Sequence, residues 1–512
     1  MAAKTVQRRK SSKHDRTGCL TCRYRSVQPT AQPRCEGVPA SEENRQYKRQ
    51  ADSATRRKKC VENTFPVCGA CTRLNIECIR EPVRRIVPPS TRSVRVPDER
   101  TQALDQPTKE PSLSRQLSFL PLQSDSLRRR HAMNHYIKVL SELLTVSKHH
   151  NSFLSDFLPM AMESPALTEA LVAYASGHLS SLDSSYTTIS LVARSNALSA
   201  LSKTIYFPTQ QATFTEPTLS ACLILLTSEV CLGSHSSWYN HLIGAKYLIE
   251  SASSQISIDS DLVARGPQAL KTTSEGRWVL RNFAFHDIIG SVTLGTKPLL
   301  APGYLEGITD EIDSYLGVAS AILVFISQIG CLSWPSVDAE EGNKVPEQYL
   351  AIECALKSWQ CPDDAAPTLQ AVAFAYRSAA LVYLYRKMRR YPQTEDCLVE
   401  FSRITLQGSI QVEVLNTLEN VARVPVDDVS ESSLLFPLFI VGGEVMYELQ
   451  MDMIRCRLQN SLTKRRFRNI SRALEVLEEL WACRLAQREA YDRQSPDWED
   501  ILRNSDEPLL LT

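Results

Sequence analysis

Seven of the chain's 15 cysteines lie within its first 78 residues: Cys19, Cys22, Cys35, Cys60, Cys68, Cys71 and Cys78. Two pairs, Cys19/Cys22 and Cys68/Cys71, have the C-x-x-C spacing that lets two thiolates grip one metal, and each pair is followed by a further cysteine. The surrounding residues are too polar to fold by apolar burial, so a fold here has to be built around an ion. The opening residues MAAKTVQRRKSSKHDR are basic and lack an apolar run, which does not read as a secretory leader. A reducing compartment follows as the expectation, and there clustered cysteines read as metal ligands rather than disulfides. Thiolates suit zinc, held tetrahedrally at about 2.3 Å. Six thiolates cannot supply two separate four-thiolate sites, but they suffice for two ions if two sulfurs bridge.

Charge is as uneven as cysteine. The whole chain has 58 Lys+Arg against 57 Asp+Glu, yet residues 1–100 hold 23 against 10, a net of +13, and residues 101–512 hold 35 against 47, a net of −12. Near-neutrality is therefore the sum of a cationic and an anionic part, and only the first has the sign of a polyanion binder. With 43% hydrophobic and 22% charged residues, collagen-like, mucin-like and wholly disordered chains are excluded.

Residues 1–17 read as a basic arm and 18–80 as the cysteine module. Residues 81–125, rich in Pro, Ser, Arg and Gln, read as a disordered linker without apolar content for a core. From 126 to 495 the pattern is helical and the expected fold is all-α, as one domain or two fused lobes. Ile470, Leu474, Leu477, Trp481 and Leu485 recur at steps of three and four; so do Ala371, Phe374, Ala375, Ala379, Val382 and Tyr383, and, more briefly, Leu191, Ala197, Leu198 and Leu201. Prolines and glycines separate the stripes. The uncharged run Ser314–Val337 is long enough to cross a bilayer, but serines and Pro335 interrupt it and acids flank it. A buried core helix is expected there.

The stretches Gly18-Cys-Leu-Thr-Cys-Arg23, Arg56-Arg-Lys-Lys-Cys60, Phe65-Pro-Val-Cys-Gly-Ala-Cys71 and Asn75-Ile-Glu-Cys78 resemble the fungal six-cysteine binuclear zinc cluster transcription factors. Seven residues separate Cys60 from Cys68, two separate Cys68 from Cys71 and six separate Cys71 from Cys78, all within that family's pattern. The resemblance implies two zinc ions, with Cys19 and Cys68 bridging both, Cys22 and Cys60 completing one site, and Cys71 and Cys78 the other. Pro66 matches the proline of the loop between the halves. It further implies a short helix whose end enters the DNA major groove. Arg56 and Arg57 would read bases, Arg57 foremost, with Arg23, Lys58, Lys59 and Arg73 on phosphates. An arginine fork bonds guanine O6 and N7 together, which discriminates by about 1–3 kcal/mol, and the family reads CGG-like triplets.

One departure is large. Cys22 and Cys60 enclose 37 residues where the family has six. The excess, about residues 24–55, is polar, holds three prolines and carries Cys35. Removing it restores the motif on both sides, so it reads as a retained intron carried into the protein sequence or, alternatively, as a looped-out insertion. Loop closure grows only logarithmically and costs no more than about 2 kcal/mol extra, so the zinc cluster could form while the reading helix is split. Cys35 in place of Cys60 is a further alternative, without the basic context that precedes Cys60.

The region from about Ser114 resembles that family's fungal-specific regulatory domain, on looser residues: Phe119-Leu-Pro-Leu, Leu140-Ser-Glu-Leu-Leu, Asn151-Ser-Phe-Leu and the run from Leu158 to His178-Leu. This implies an all-helical regulatory domain without catalysis. Enzyme motifs are poor. Gly290-Ser-Val-Thr-Leu-Gly-Thr-Lys297 resembles a phosphate loop with its last two residues reversed and reads as a loop at a helix end. His131 and His135 share a helical face without an evident third ligand and read as surface histidines. Cys222, Cys231, Cys331 and Cys354 read as small core residues. Residues 496–512 mix acids with bulky apolar groups; that suits an activation segment folding on a coactivator, or a chain end packing on its own domain.

The combined expectation is a mostly α protein: a small binuclear zinc cluster module, a linker and a large all-α regulatory domain. It would be a nuclear, zinc-dependent, sequence-specific regulator of RNA polymerase II genes, not an enzyme, with double-stranded DNA and coactivators as partners and no membrane association. No heptad pattern follows the cysteines, so no coiled-coil dimer is expected, and dimerisation by other means stays open. The alternative is a helical interaction protein or co-regulator that does not bind DNA because residues 24–55 break the reading helix.

Overall fold

From Pro121 onward apolar residues return every three or four positions between breakers, and helices form where they do. The computed structural model describes residues 121–512 apart from 207–214, 234–236, 258–259, 333–344, 391–395, 491–495 and 506. Residues 131–512 form one compact unit. Helix α1 (Pro121–His135), which already buries Ala132 and Met133, leads into a single π turn, Tyr136–Leu140, that buries Tyr136 and Leu140.

Three helices are buried almost all round and make the centre. Helix α2 (Pro165–Ser180) starts where the Ser164 hydroxyl accepts from the Leu167 N–H, with Pro165 preset for the first turn. Its apolar residues do not favour one face, since Ala166, Leu167, Ala170, Leu171, Val172, Ala173, Tyr174 and Ala175 are all buried. Outer helix α3 (Thr187–Tyr206) and helix α4 (Thr215–Leu232) pack on it. Helix α5 (Trp238–Ser251) packs on α4 and is followed by a hairpin, β1 (Ser253–Ser257) and β2 (Ser260–Arg265). The strands run antiparallel with Ser253 opposite Arg265, Gln255 opposite Val263 and a register shift before Ser257. This hairpin departs from the all-α expectation; residues 253–265 are serine-rich, a poor fit to a helix.

The second central helix, α6 (Ser274–Leu294), begins at Thr273, whose hydroxyl accepts from the Gly276 N–H at 3.0 Å, and stops at Gly295 with φ +65°. Helix α7 (Ser320–Cys331) lies between α6 and the third central helix, α9 (Pro367–Arg389), while α8 (Val345–Ser358) covers α9 and α7. Helix α7 is the core of the uncharged 314–337 run; among the described residues no helix is long and apolar enough to cross a membrane. Long helix α10 (Asp396–Arg423) runs beside α9. Then α11 (Leu435–Gly442), apolar throughout, inserts between α9 and α13 (Arg468–Ala490), with α12 (Glu448–Arg465) outside.

The chain end is part of this core. In α14 (Trp498–Arg503) the Trp498 side chain is fully buried, edge-on to Phe439 at 5.3 Å, and Leu509, Leu510 and Leu511 are at most 2% exposed. Trp238 Nε1 donates to the Pro508 carbonyl, and the Thr293 hydroxyl donates to the Leu509 carbonyl. Of the two readings of 496–512, the chain end packs on its own domain: the bulky residues of the segment fill the domain's interior. Gly443 makes room, because a Cβ there would stand 2.5 Å from Trp498 Cδ1.

Other expectations need adjusting. In α13 the buried face is Ile470, Ala473, Leu477, Leu480 and Trp481, whereas Leu485 is 54% exposed. In α3 it is Ile189, Ala193, Ala197 and Leu201, while Leu191 and Leu198 face solvent. Cys222 and Cys231 are buried as expected, with burial pushing both thiols up to about 12. Cys331 and Cys354 are exposed, since each lies on the outward side of its amphipathic helix.

Candidate functional site

The expected zinc ligands Cys19, Cys22, Cys60, Cys68, Cys71 and Cys78, and the expected DNA contacts Arg23, Arg56, Arg57, Lys58, Lys59 and Arg73, lie outside the described residues. The polar chemistry of the described part is concentrated in the helical domain's interior.

At the C-terminal end of α9, positive side chains gather where the helix dipole favours them. Arg386, buried to 2%, pairs with Glu444, with Asp497 at 2.6 Å and with Glu499; Arg389 pairs with Glu444 at 2.8 Å; Arg390 pairs with Asp497 at 2.6 Å and with Glu499. The Arg386 guanidinium also lies 4.9 Å from the Trp498 ring. Burial alone would raise the pKa of Asp497, but Arg386 and Arg390 hold this carboxyl well below the usual range. Three cations and three carboxylates pair here, with Arg386 Nε left without a partner, which makes this a clasp for the chain end.

The sequence pair His131/His135 separates in the structure. His131 Nδ1 is 2.6 Å from the Tyr186 hydroxyl on the surface, whereas His135 Nε2 meets His178 Nδ1 at 2.9 Å. His178 Nε2 stands 3.0 Å from the Arg465 carbonyl, so it donates there and its Nδ1 accepts from His135. Burial, then His178 and His131, lower the His135 pKa to about 4, and both rings of the relay are neutral at pH 7. The reading of His135 as a surface histidine is corrected accordingly. His178 is 43 residues away and nothing in its local pattern marks it. Among the described residues no group of three or more His, Cys, Asp or Glu is placed to hold a metal.

Gly290–Lys297 proves to be the end of α6, with Gly295 as its left-handed cap. The negative pole of the helix points there, and a phosphate needs the opposite one.

A small cavity of about 40 Å³ lies where the turn after α1 meets α4, α6, α11, α12 and α13. Its wall is apolar at Leu144, Leu438, Leu458 and Phe467 and polar at Glu431, Arg457 and Arg465. Arg457 Nε stands 2.8 Å from Glu431 Oε1, close as charges but not aligned as a hydrogen bond. Arg465 Nη1 donates to Ser461 Oγ at 2.9 Å, and its contacts to Glu431 Oε2 and the Leu143 carbonyl are long at 3.4 Å. Two guanidiniums thus face one carboxylate. The periodicity of the sequence signalled none of this: Glu431 sits in a short 3-10 turn, and the arginines look like ordinary solvated charges of α12.

The transcriptional activator protein UGA3 of Saccharomyces cerevisiae is 22% identical over 510 aligned residues, covering 83% of this chain and 91% of that protein. No solved structure matches the chain. Residues 131–512 match the fungal specific transcription factor domain, so that three quarters of the chain is accounted for, and the protein belongs to the family that carries this domain.

Proposed function

We propose that the protein is a nuclear, zinc-dependent regulator of RNA polymerase II transcription that binds double-stranded DNA by sequence. The observation that supports this most is the coexistence, in one chain, of six cysteines at binuclear-cluster spacing with a fungal specific transcription factor domain over 131–512. The thiolates of Cys19, Cys22, Cys60, Cys68, Cys71 and Cys78 would hold two zinc ions, and the ions supply the folding energy that this polar segment lacks. Lys and Arg contacts to phosphate would give affinity, and Arg56 and Arg57 would give preference for CGG-like triplets. The helical domain would set output and partners, and the similarity to a transcriptional activator favours activation over repression.

A second reading rests on residues 24–55. With 37 residues between Cys22 and Cys60, the helix that should carry Arg56 and Arg57 would be interrupted, and the chain would act through its helical domain without reading DNA. Zinc-loaded protein with and without residues 24–55, titrated against CGG-containing duplexes, separates the two. Binding by both forms supports the first reading, binding only after deletion supports a retained intron, and binding by neither removes the DNA-reading proposal.

A further inference from the structure

The end of the chain is fastened to the domain on one side by the Arg386 clasp and on the other by buried Leu509, Leu510 and Leu511. Midway between the two, a serine meets an arginine. Ser505 follows α14 and is half-buried; its hydroxyl oxygen accepts from Arg472 Nη2 at 2.8 Å and from the Glu507 N–H at 3.2 Å. Both contacts use the oxygen as an acceptor, so the position is set up to receive negative charge.

Arg472 has donors to spare. Its Nε is buried without a partner, and its Nη1 reaches Glu475 only at 3.4 Å. Nε and Nη2 form one edge of the guanidinium plane, the edge that binds two oxygens of a carboxylate or phosphate together. Here one half of that edge holds Ser505 and the other half is empty. Arg468 stands one turn earlier, at the start of α13, where the helix dipole adds positive potential. Its guanidinium holds Glu507 at 3.0 Å, and a cavity of about 40 Å³ is lined by Arg468, Arg472 and Glu507. Ser471, on the same turn of α13, is the opposite case: its hydroxyl donates to Glu475 at 2.9 Å, so a phosphate there would face a carboxylate. The approach to Ser505 is open, since the Arg503 side chain is 69% exposed and Asn504 is exposed.

We propose that Ser505 is a phosphorylation site and that its phosphate locks the chain end onto α13. A protein kinase supplies ATP: the Ser505 oxygen bonds to the γ-phosphorus, the bond from that phosphorus to the β,γ-bridging oxygen breaks, ADP leaves, and the hydroxyl proton passes to a base of the kinase. The product carries about two negative charges and three further acceptor oxygens. Two of these oxygens span the Nε–Nη2 edge of Arg472, and Arg468 is shared between the phosphate and Glu507. Glu507 and its sequence neighbour Asp506 repel the new charge, but each phosphate contact to a guanidinium is charge-assisted, whereas the serine offers Arg472 a single neutral acceptor. The modification thus sets how readily the last strap leaves the core. It is independent of the DNA-reading proposal, and the failure of either leaves the other standing.

The test compares the full chain carrying phosphoserine at 505, introduced at a recoded codon, with the unmodified chain. Amide hydrogen exchange across residues 507–511, read by mass spectrometry, should slow roughly tenfold on phosphorylation, the effect of one charge-assisted contact. Phosphorus NMR should place the second ionisation of the phosphate below its ordinary value of about 6. In Arg472→Ala protein the same modification should change exchange by less than about twofold, because the coupled partner is gone, and the ionisation should return to its ordinary value. Arg472→Lys keeps the charge without the two-donor edge and should fall between. Each modified form is compared with its own unmodified form, and the unsubstituted pair reports even if a variant fails to fold. Protein purified from the cells that naturally make it should yield the peptide containing Ser505 with phosphate attached. Unchanged or faster exchange on phosphorylation, an equal slowing in folded Arg472→Ala protein, or recovery of that peptide only without phosphate would overturn the proposal.

Discussion

Arg386 Nη2 lies 2.6 Å from Asp497 Oδ1, joining residues 111 positions apart inside the core. The contact ties the end of the third central helix to the start of the last one. Removing one member of a buried pair leaves the other charge uncompensated. Arg386→Met is therefore expected to lower stability by about 3–5 kcal/mol. Arg386→Met/Asp497→Asn should cost less than the two single losses combined, since both remove the same contact. Urea unfolding monitored by tryptophan fluorescence measures this; strict additivity would show that the two residues do not act as one network.

The stability of this domain should fall with acid in two separate windows. His135 has a folded pKa of about 4 against an ordinary value of about 6.5, lowered by burial and by His178. Where the folded value is depressed, the unfolded chain takes the proton first. The contribution of His135 is thus complete above about pH 6.5 and is lost as pH falls toward 4. Asp497 is depressed by Arg386 and Arg390 in spite of its burial, so its contribution is complete above about pH 4 and is lost below. Urea midpoints recorded between pH 7 and pH 3 should show both limbs. His135→Gln should shrink the upper one, to which buried His286 also contributes, and Asp497→Asn the lower one, and a variant that changed the wrong limb would refute the assignment.

The burial of Trp498 and Leu509–Leu511 makes the chain end a structural element, although its composition suits an activation segment. Trp498→Ala is expected to cost about 3–5 kcal/mol, the range for a large buried aromatic. Gly443→Ala is expected to cost about 1–3 kcal/mol, because its Cβ would collide with the Trp498 ring. Deletion of 496–512 should yield aggregated or protease-sensitive protein. A stable, soluble truncation with an unchanged melting temperature would return these residues to the status of a free tail.

How much of this was legible beforehand depended on the kind of signal. Helix existence was legible, because apolar spacing and breakers such as Pro267, Pro298 and Pro362 mark elements directly. Faces were less so. Leu191 and Leu198 fit a stripe as well as Ala193 and Ala197 do, and only packing against α2 decides which side is covered. Central helices α2 and α6 carry no one-sided pattern, and the stripe from Ala371 to Tyr383 is only part of what α9 buries, because these helices are enclosed on nearly every side. The Arg386 clasp, the His135–His178 relay and the cavity pair residues far apart in sequence, and no local pattern encodes such pairings. The cysteine motif is a signal of the opposite kind, set by spacing within a few residues, and its residues lie outside the described ones.

That motif yields the last prediction. If Arg57 reads a guanine through its fork, Arg57→Ala should lose about 1–3 kcal/mol on the best duplex and much less on a duplex changed at that base, so that preference at one position relaxes. Lys59, assigned to phosphate, should behave differently. Lys59→Ala should weaken binding to all duplexes alike and reduce the slope of log affinity against log salt by about one. Both variants keep the six cysteines, so zinc content measured on the same samples should stay at two ions per chain, while Cys68→Ser, removing a bridging ligand, should lose both ions and all specific binding together. Fluorescence anisotropy at three salt concentrations, on protein without residues 24–55 if only that form binds, distinguishes these outcomes. Equal loss on every duplex for Arg57→Ala would place that residue on the backbone and send the search for the base-reading side chain to Arg56.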